Sequence, residues 1–318
     1  MQKRIWEMVV VLVILVFAGN VDARNRIFWL ESYHEGYAWT DSLQTAITST
    51  LFGHDVELEI FHMDTKRNKS EKAILASARK AVSLIKDFRP DIVIASDDNA
   101  SKYVVMPHFK NASLPIVFCG VNNSVDKYKY PYKNVTGIIE LDPISSLVFS
   151  LSRFKGVHKV GYLAGDTNTS RILYDMYSTQ QTRFLCTQYL VTTFNGWKNA
   201  FLRAQKEVDI LIVGNISAIK GWNDTLAREF VMSQTVIPTG CLLEFLTPYA
   251  FIGCIKLPEE QGRWAAQTAL RVLNGTPISD IEVARPHEYK LIINNKIADK
   301  LGIKLPRSYI KKVARFIN

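Results

Sequence analysis

Asp91-Ile92-Val93-Ile94-Ala95-Ser96-Asp97-Asp98-Asn99 and, further on, Leu114-Pro115-Ile116-Val117-Phe118-Cys119-Gly120-Val121-Asn122-Asn123 decide how this sequence is read. Each opens on a short apolar, β-branched run entered through a proline, and a helix-length of chain separates the two. Both read as buried parallel strands. After each run the chain turns polar where a core would stay apolar. In open α/β sheets, ligands bind in the crevice at the carboxyl ends of strands, so Asp97, Asp98, Asn99, Asn122 and Asn123 are candidate ligand-binding residues. The plainer alternative is that Ser96 or Asp98 only caps the helix that follows.

The 318 residues, 47% hydrophobic, suffice for two lobes with a sizeable core. The formal charge is +9. Lys3 and Arg4 cancel against Glu7 and Asp22, so the excess belongs to the body of the chain. It reads as a solvated basic surface, with an anionic partner left open. No dense Lys/Arg block interleaved with aromatics suggests a nucleic-acid partner. Lys300, Lys304, Arg307, Lys311, Lys312 and Arg315 make the C-terminus basic and are spaced like a helix face.

Lys3 and Arg4 precede an apolar run over residues 8–18, and Val21-Asp22-Ala23 has the small-residue pattern of a signal-peptide cleavage site. Export with cleavage after Ala23 is expected, because a transmembrane helix needs roughly 20 apolar residues. No cysteine lies near that point, which argues against a lipid anchor. Cys119, Cys186, Cys241 and Cys254 lack metal-ligand spacing and read as small buried thiols, with one disulfide open in an oxidising compartment. Asn-x-Ser/Thr triplets at Asn99, Asn122, Asn134, Asn168 and Asn215 fall largely at polar strand ends, where a glycan would block a cleft. A bacterial periplasm fits better.

Residues 26–30 predict a first strand and 40–52 a helix. Between them, Tyr33, His34, Tyr37 and Trp39 offer stacking surfaces with polar tips that suit the wall of a small-molecule site, or else pack. Residues 56–62 alternate as a strand and 70–88 form an amphipathic helix. A second α/β series follows, with strands over 158–163, 189–194, 208–213 and 236–241. Its turn at Thr167, Asn168 and Thr169 opens a helix whose free N–H groups could receive an anion. Asn215 and Glu244 also follow strand ends.

Together, Ser32-Tyr33-His34-Glu35-Gly36-Tyr37-Ala38-Trp39-Thr40-Asp41, Met63-Asp64-Thr65-Lys66-Arg67, Ser96-Asp97-Asp98-Asn99-Ala100, Pro115-Ile116-Val117-Phe118-Cys119-Gly120-Val121-Asn122-Asn123, Asn134-Val135-Thr136-Gly137 and Lys256-Leu257-Pro258-Glu259-Glu260-Gln261-Gly262 resemble the ABC-transporter substrate-binding protein family. The resemblance covers essentially the whole mature chain. It implies an α/β type I periplasmic binding fold, with two doubly wound parallel-sheet lobes joined by a three-crossover hinge. By this likeness residues 24–140 and 249–280 form the N-lobe and 141–248 and 281–318 the C-lobe, with Lys256 near a crossover and the last strand over 289–293.

The expected role is periplasmic solute binding by clamp closure, for an ABC permease in the inner membrane. The expected solute is small, polar or aromatic, an amino acid or amine held by Asp97, Asp98 and Glu244 with Trp39 or Tyr37 stacking on its cation. The alternative is a sensor acting with a separate kinase or cyclase. An enzyme is the distant one, since GxSxG, HExxH, GxGxxG and Walker motifs are missing. No cofactor and no metal are expected, because His34-Glu35 lacks a second histidine at ligand spacing. The protein is expected to be a monomer without a nucleic-acid partner.

Overall fold

The computed structural model describes residues 24–181 and 183–317. The expected signal peptide, residues 1–23, lies outside the described residues. None of the described helices is long and apolar enough to cross a membrane. The chain divides into two compact units, one comprising the described residues up to Ile139 and Gln261–Ala284, the other Glu140–Glu260 and the residues from Arg285 onward. It therefore passes between them three times.

Unit 1 is a five-stranded parallel sheet in the order β2-β1-β3-β4-β5. β1 (Asn25–Glu31) leads through α1 (Ala38–Leu51) to β2 (Val56–His62), and α2 (Glu71–Phe88) leads to β3 (Ile92–Ser96). The limits of α2 follow from its sequence. Ser70 caps it by accepting from the Ala73 N–H at 3.3 Å, and Arg89 ends it in the left-handed conformation before Pro90. Its buried Ile74, Ala78, Ala81 and Ile85 form one stripe. After β3 comes α3 (Asp97–Ala100), continued by a π-helical segment, Ser101–Phe109, that contains Pro107. β4 (Ile116–Asn122) and β5 (Val135–Glu140) complete the sheet. Its core joins Ile27, Trp29, Leu43, Ile47, Ile92 and Val117 to Ala265, Ala266 and Ala269 of a helix contributed by the returning chain.

Unit 2 runs α4 (Ile144–Ser152), β6 (Lys159–Gly165), α5 (Asn168–Gln180), β7 (Leu185–Val191), α6 (Phe194–Glu207), β8 (Ile210–Val213), α7 (Asp224–Gln234), β9 (Thr239–Cys241) and β10 (Ile252–Lys256). α8 (Pro258–Leu273) then carries the chain into unit 1. After the return come β11 (Tyr289–Asn294), α9 (Asn295–Lys300), α10 (Arg307–Ile310) and β12 (Val313–Ile317). The sheet order is β12-β11-β10-β9-β8-β6-β7.

The fold class expected from the sequence is the one found, with four differences of detail. The second crossing falls at Glu260/Gln261 instead of near Pro248, because β10 pairs with β9 and β11 and keeps residues 249–260 in unit 2. The third crossing, at Ala284/Arg285, is no such difference, and there Ala284 bonds to Gly137 and Ile139 of unit 1. β11 is antiparallel to β10, with Lys256 opposite Tyr289, so the returning chain re-enters beside the strand it left. β7 starts at Leu185 rather than at residue 189, and a further strand, β12, follows β11. All four cysteines are free.

Candidate ligand-binding site

In unit 1 the loop after β1 is fastened to its neighbours through short bonds. The Ser32 hydroxyl donates to the Ser96 carbonyl at 2.6 Å and accepts from the Ala100 N–H at 2.9 Å. Thr65 Oγ1 donates to the Ser32 carbonyl at 2.7 Å, and Asn99 Nδ2 donates to Thr65 Oγ1 at 2.8 Å. The carboxyl ends of β1, β2 and β3 thus form one braced surface. On it Tyr33 and Tyr37 meet edge to face at 5.4 Å, with His34 at 5.8 Å from Tyr37. The Lys66 ammonium lies 4.2 Å from the Tyr33 ring centre and 5.1 Å from that of Tyr37, so the protein's own cation faces these rings. His34, Glu35, Gly36, His62, Asp64 and Arg67 line an open pocket of about 560 Å³. His34 Nδ1 is 3.6 Å from Asp64, whose carboxyl is held below its ordinary value by the bond from Arg67. Burial lowers the His62 imidazole. Trp39, in the first turn of α1, packs against the unit 1 core, which is the packing alternative for that residue.

The strand ends of β3 and β4 hold the densest polar network. Asp98 accepts from Tyr128 at 2.8 Å and from Asn122 Nδ2 at 2.9 Å, and pairs with Lys127 at 2.7 Å. It receives three side chains and caps nothing. Ser96 occupies the N-cap position of α3 but makes no side-chain capping bond; its hydroxyl accepts from the Trp29 indole at 2.7 Å. Asn123 follows with φ +68°, as the backbone turns. Asp97 is buried with φ +70° beside Gly120, also at positive φ, where a Cβ would lie 2.8 Å from Asp97 Oδ1. Its carboxyl bonds to Glu31, a residue missed in the sequence because it ends an apolar strand. Burial pushes the Glu31 carboxyl up to about 7, against bonds from the Tyr33 N–H, Asp97 and Thr40.

In unit 2 the Thr167 hydroxyl caps α5 by accepting from the Ser170 N–H at 3.0 Å, and Asn168 and Thr169 are exposed in the first turn. Asn215 is exposed beside them: its carbonyl accepts from the Gly165 N–H at 2.8 Å, and its side chain accepts from the Ser217 N–H. Glu244 follows β9, the strand beside β8. It pairs with Lys290 at 3.2 Å and Arg315 at 2.9 Å, in a surface pocket of about 910 Å³ that also includes Asp224, Arg228, Phe245 and Ile216, the residue next to Asn215. Lys256 pairs with Glu140 and, at 3.0 Å, with Asp142, which accepts from Tyr177 at 2.5 Å. Burial alone would lower the Lys256 ammonium; the two carboxylates overrule it and hold it above its ordinary value. Glu140, Asp142 and Tyr177 were not singled out in the sequence, although Glu140-Leu141-Asp142-Pro143 directly after an apolar strand is the same polar-ending signal as at β3 and β4.

The structure therefore joins Asp98, Asn122 and Asn99 to the Tyr33 loop through β3, and Thr167, Asn168 and Thr169 to Asn215. The acids expected to meet an ammonium already have partners within the protein. Among the described residues no group of His, Cys, Asp and Glu side chains is arranged to hold a metal ion.

Residues 230–317 match the family model described as ABC transporter substrate binding protein. The chain resembles the ABC-transporter substrate-binding proteins in sequence there and in fold throughout. A ligand-free, open substrate binding protein with adhesive properties from Clostridium difficile is 16% identical, with TM-score 0.71 over 92% of this chain and 99% of that one. An ABC domain in complex with L-Trp from Streptococcus pneumonia is 17% identical, with TM-score 0.58 over 93% and 100%. An ABC transporter solute binding protein from Bacillus halodurans with bound myo-inositol is 12% identical, with TM-score 0.50 over 89% and 99%. At these identities the likeness establishes the type I periplasmic binding fold. No curated protein matches.

Proposed function

We propose that this protein is the solute-binding component of an ABC importer, exported to the periplasm, which captures a small polar or aromatic solute by clamp closure and releases it unchanged to a membrane permease. The observation that carries this reading is that polar, mutually braced side chains stand at the carboxyl ends of the strands in both units, while the chain passes between the units three times. Closure on a solute needs only a higher affinity for the closed state. The L-Trp and myo-inositol named for the fold neighbours are solutes of the size this requires.

For an amino acid or amine, the ammonium replaces Lys127 at Asp98, since Lys127 is the most exposed of the three Asp98 partners. In unit 2 the first turn of α5, at Asn168 and Thr169, is the group suited to a carboxylate. Tyr33 and Tyr37 supply the aromatic wall. The experiment is mass spectrometry of small molecules released from the purified protein, followed by a thermal-shift titration with the compound found. Asp98→Ala and Tyr37→Ala should each abolish most of the shift, and the compound should be recovered unchanged after long incubation. A product that accumulates in proportion to folded protein, or a shift untouched by both substitutions, would refute the reading.

A further inference from the structure

Much of the positive charge of the chain gathers at one end of unit 2. Residues 295–317 carry seven basic side chains against one acid, Asp299, which accounts for +6 of the formal +9. They do not share the single helix face expected from their spacing. Lys296 and Lys300 project from α9, Lys304 from the stretch that follows, Arg307 from α10, and Lys311 and Lys312 from the turn before β12, all exposed. Because α9 packs against β12, these separate elements make one surface. Arg315 pairs with Glu244, whereas the other six basic residues make no ion pair among the described residues.

A distant part of the sequence adds to this face. Tyr309 packs edge-on against Phe154 at 5.7 Å, which brings in Arg153 at the end of α4. The Arg153 guanidinium lies 5.9 Å from the ring of Phe149, which is 58% exposed, and Ile310, between Tyr309 and Lys311, is 44% exposed. Ile310 thus stands in solvent next to the unpaired Lys311, and Phe149 beside the Arg153 that Tyr309 brings to this face. A nucleic acid would satisfy the cations and leave Ile310 and Phe149 without a partner; a lipid surface takes both.

We propose that this face of unit 2 docks on an anionic phospholipid surface, the basic side chains engaging headgroup phosphates while Ile310 and Phe149 enter the interfacial layer. It is independent of the clamp reading. The test is co-sedimentation of the full chain with vesicles of phosphatidylglycerol in phosphatidylcholine, against pure phosphatidylcholine, at two ionic strengths. The wild type should partition preferentially to the phosphatidylglycerol vesicles, less so at high salt. At about fivefold per basic residue, Lys304→Gln/Lys311→Gln/Lys312→Gln should lower that partition on the order of a hundredfold. The Lys→Arg changes at the same positions should preserve it. Ile310→Ser should weaken it with net charge unchanged, and Lys69→Gln/Lys72→Gln/Lys86→Gln in unit 1 should leave it intact. Circular dichroism confirms that each variant is folded. The apolar run of residues 8–18 would take both vesicle types alike. The proposal is overturned if the two vesicle types are not distinguished, if the unit 1 variant loses as much as the unit 2 variant, or if the wild type binds polyuridylate or polyglutamate and ignores phosphatidylglycerol.

Discussion

Two buried carboxyl groups decide the chemistry at the residue scale. Glu31, pushed up to about 7 from an ordinary 4.5, binds its proton more tightly in the folded state than in the unfolded one. Its stabilising contribution is therefore complete below about pH 4.5 and is lost as pH rises through about 7. Glu31→Gln should flatten that part of the pH–stability curve, by up to roughly 3 kcal/mol. Denaturant titrations from pH 4 to pH 8 measure it, and a curve as steep as that of the wild type would count against a protonated Glu31. Glu140, by contrast, is held by Lys256. Lys256→Met should destabilise unit 2 by about 3–5 kcal/mol, because it strands Glu140 and Asp142 in a desolvated place. Adding Glu140→Gln should restore part of the loss, a coupling readable in a double-mutant cycle of melting temperatures. Neither pairing was legible in the chain, since partners such as Glu31 and Asp97 are far apart in sequence and meet only through strand register.

Among the elements, β5 shows how closely the strands near the first crossing are fitted. A Cβ on Gly137 would stand 2.2 Å from the Phe118 carbonyl oxygen of β4 and 2.4 Å from the Phe118 ring. Gly137→Ala should cost about 1–3 kcal/mol as β5 is forced off β4. Chemical denaturation measures it, and an unchanged midpoint would show that the close approach is relieved elsewhere. The helices were readable because capping and periodicity agree, as at Ser70 and Arg89 of α2. The C-terminal basic residues misled, because a spacing of three to four is also produced by a short helix, a turn and a strand in succession.

For the whole molecule, the clamp reading predicts that the true solute at 100 times its dissociation constant raises stability by about 2.7 kcal/mol. The same addition should reduce the radius of gyration in small-angle scattering. Stabilisation without compaction would leave a binding protein that does not close. N-terminal sequencing of exported protein should begin at Arg24, and an intact Met1 in a membrane fraction would overturn cleavage after Ala23.

The α/β class, most strand and helix positions and the polar strand ends at Asp97, Asp98, Asn122 and Thr167 were determined by the sequence alone, because period, capping and turn chemistry are local properties. Tertiary structure decided the rest. The place where the chain crosses at Glu260 depends on β10 finding β9 and β11, and the antiparallel entry of β11 depends on where the chain returns. Whether an acid is available to a ligand depends on what else reaches it. Asp98 is met by Tyr128, Asn122 and Lys127, Glu244 by Lys290 and Arg315, and no local pattern encodes such encounters between distant residues.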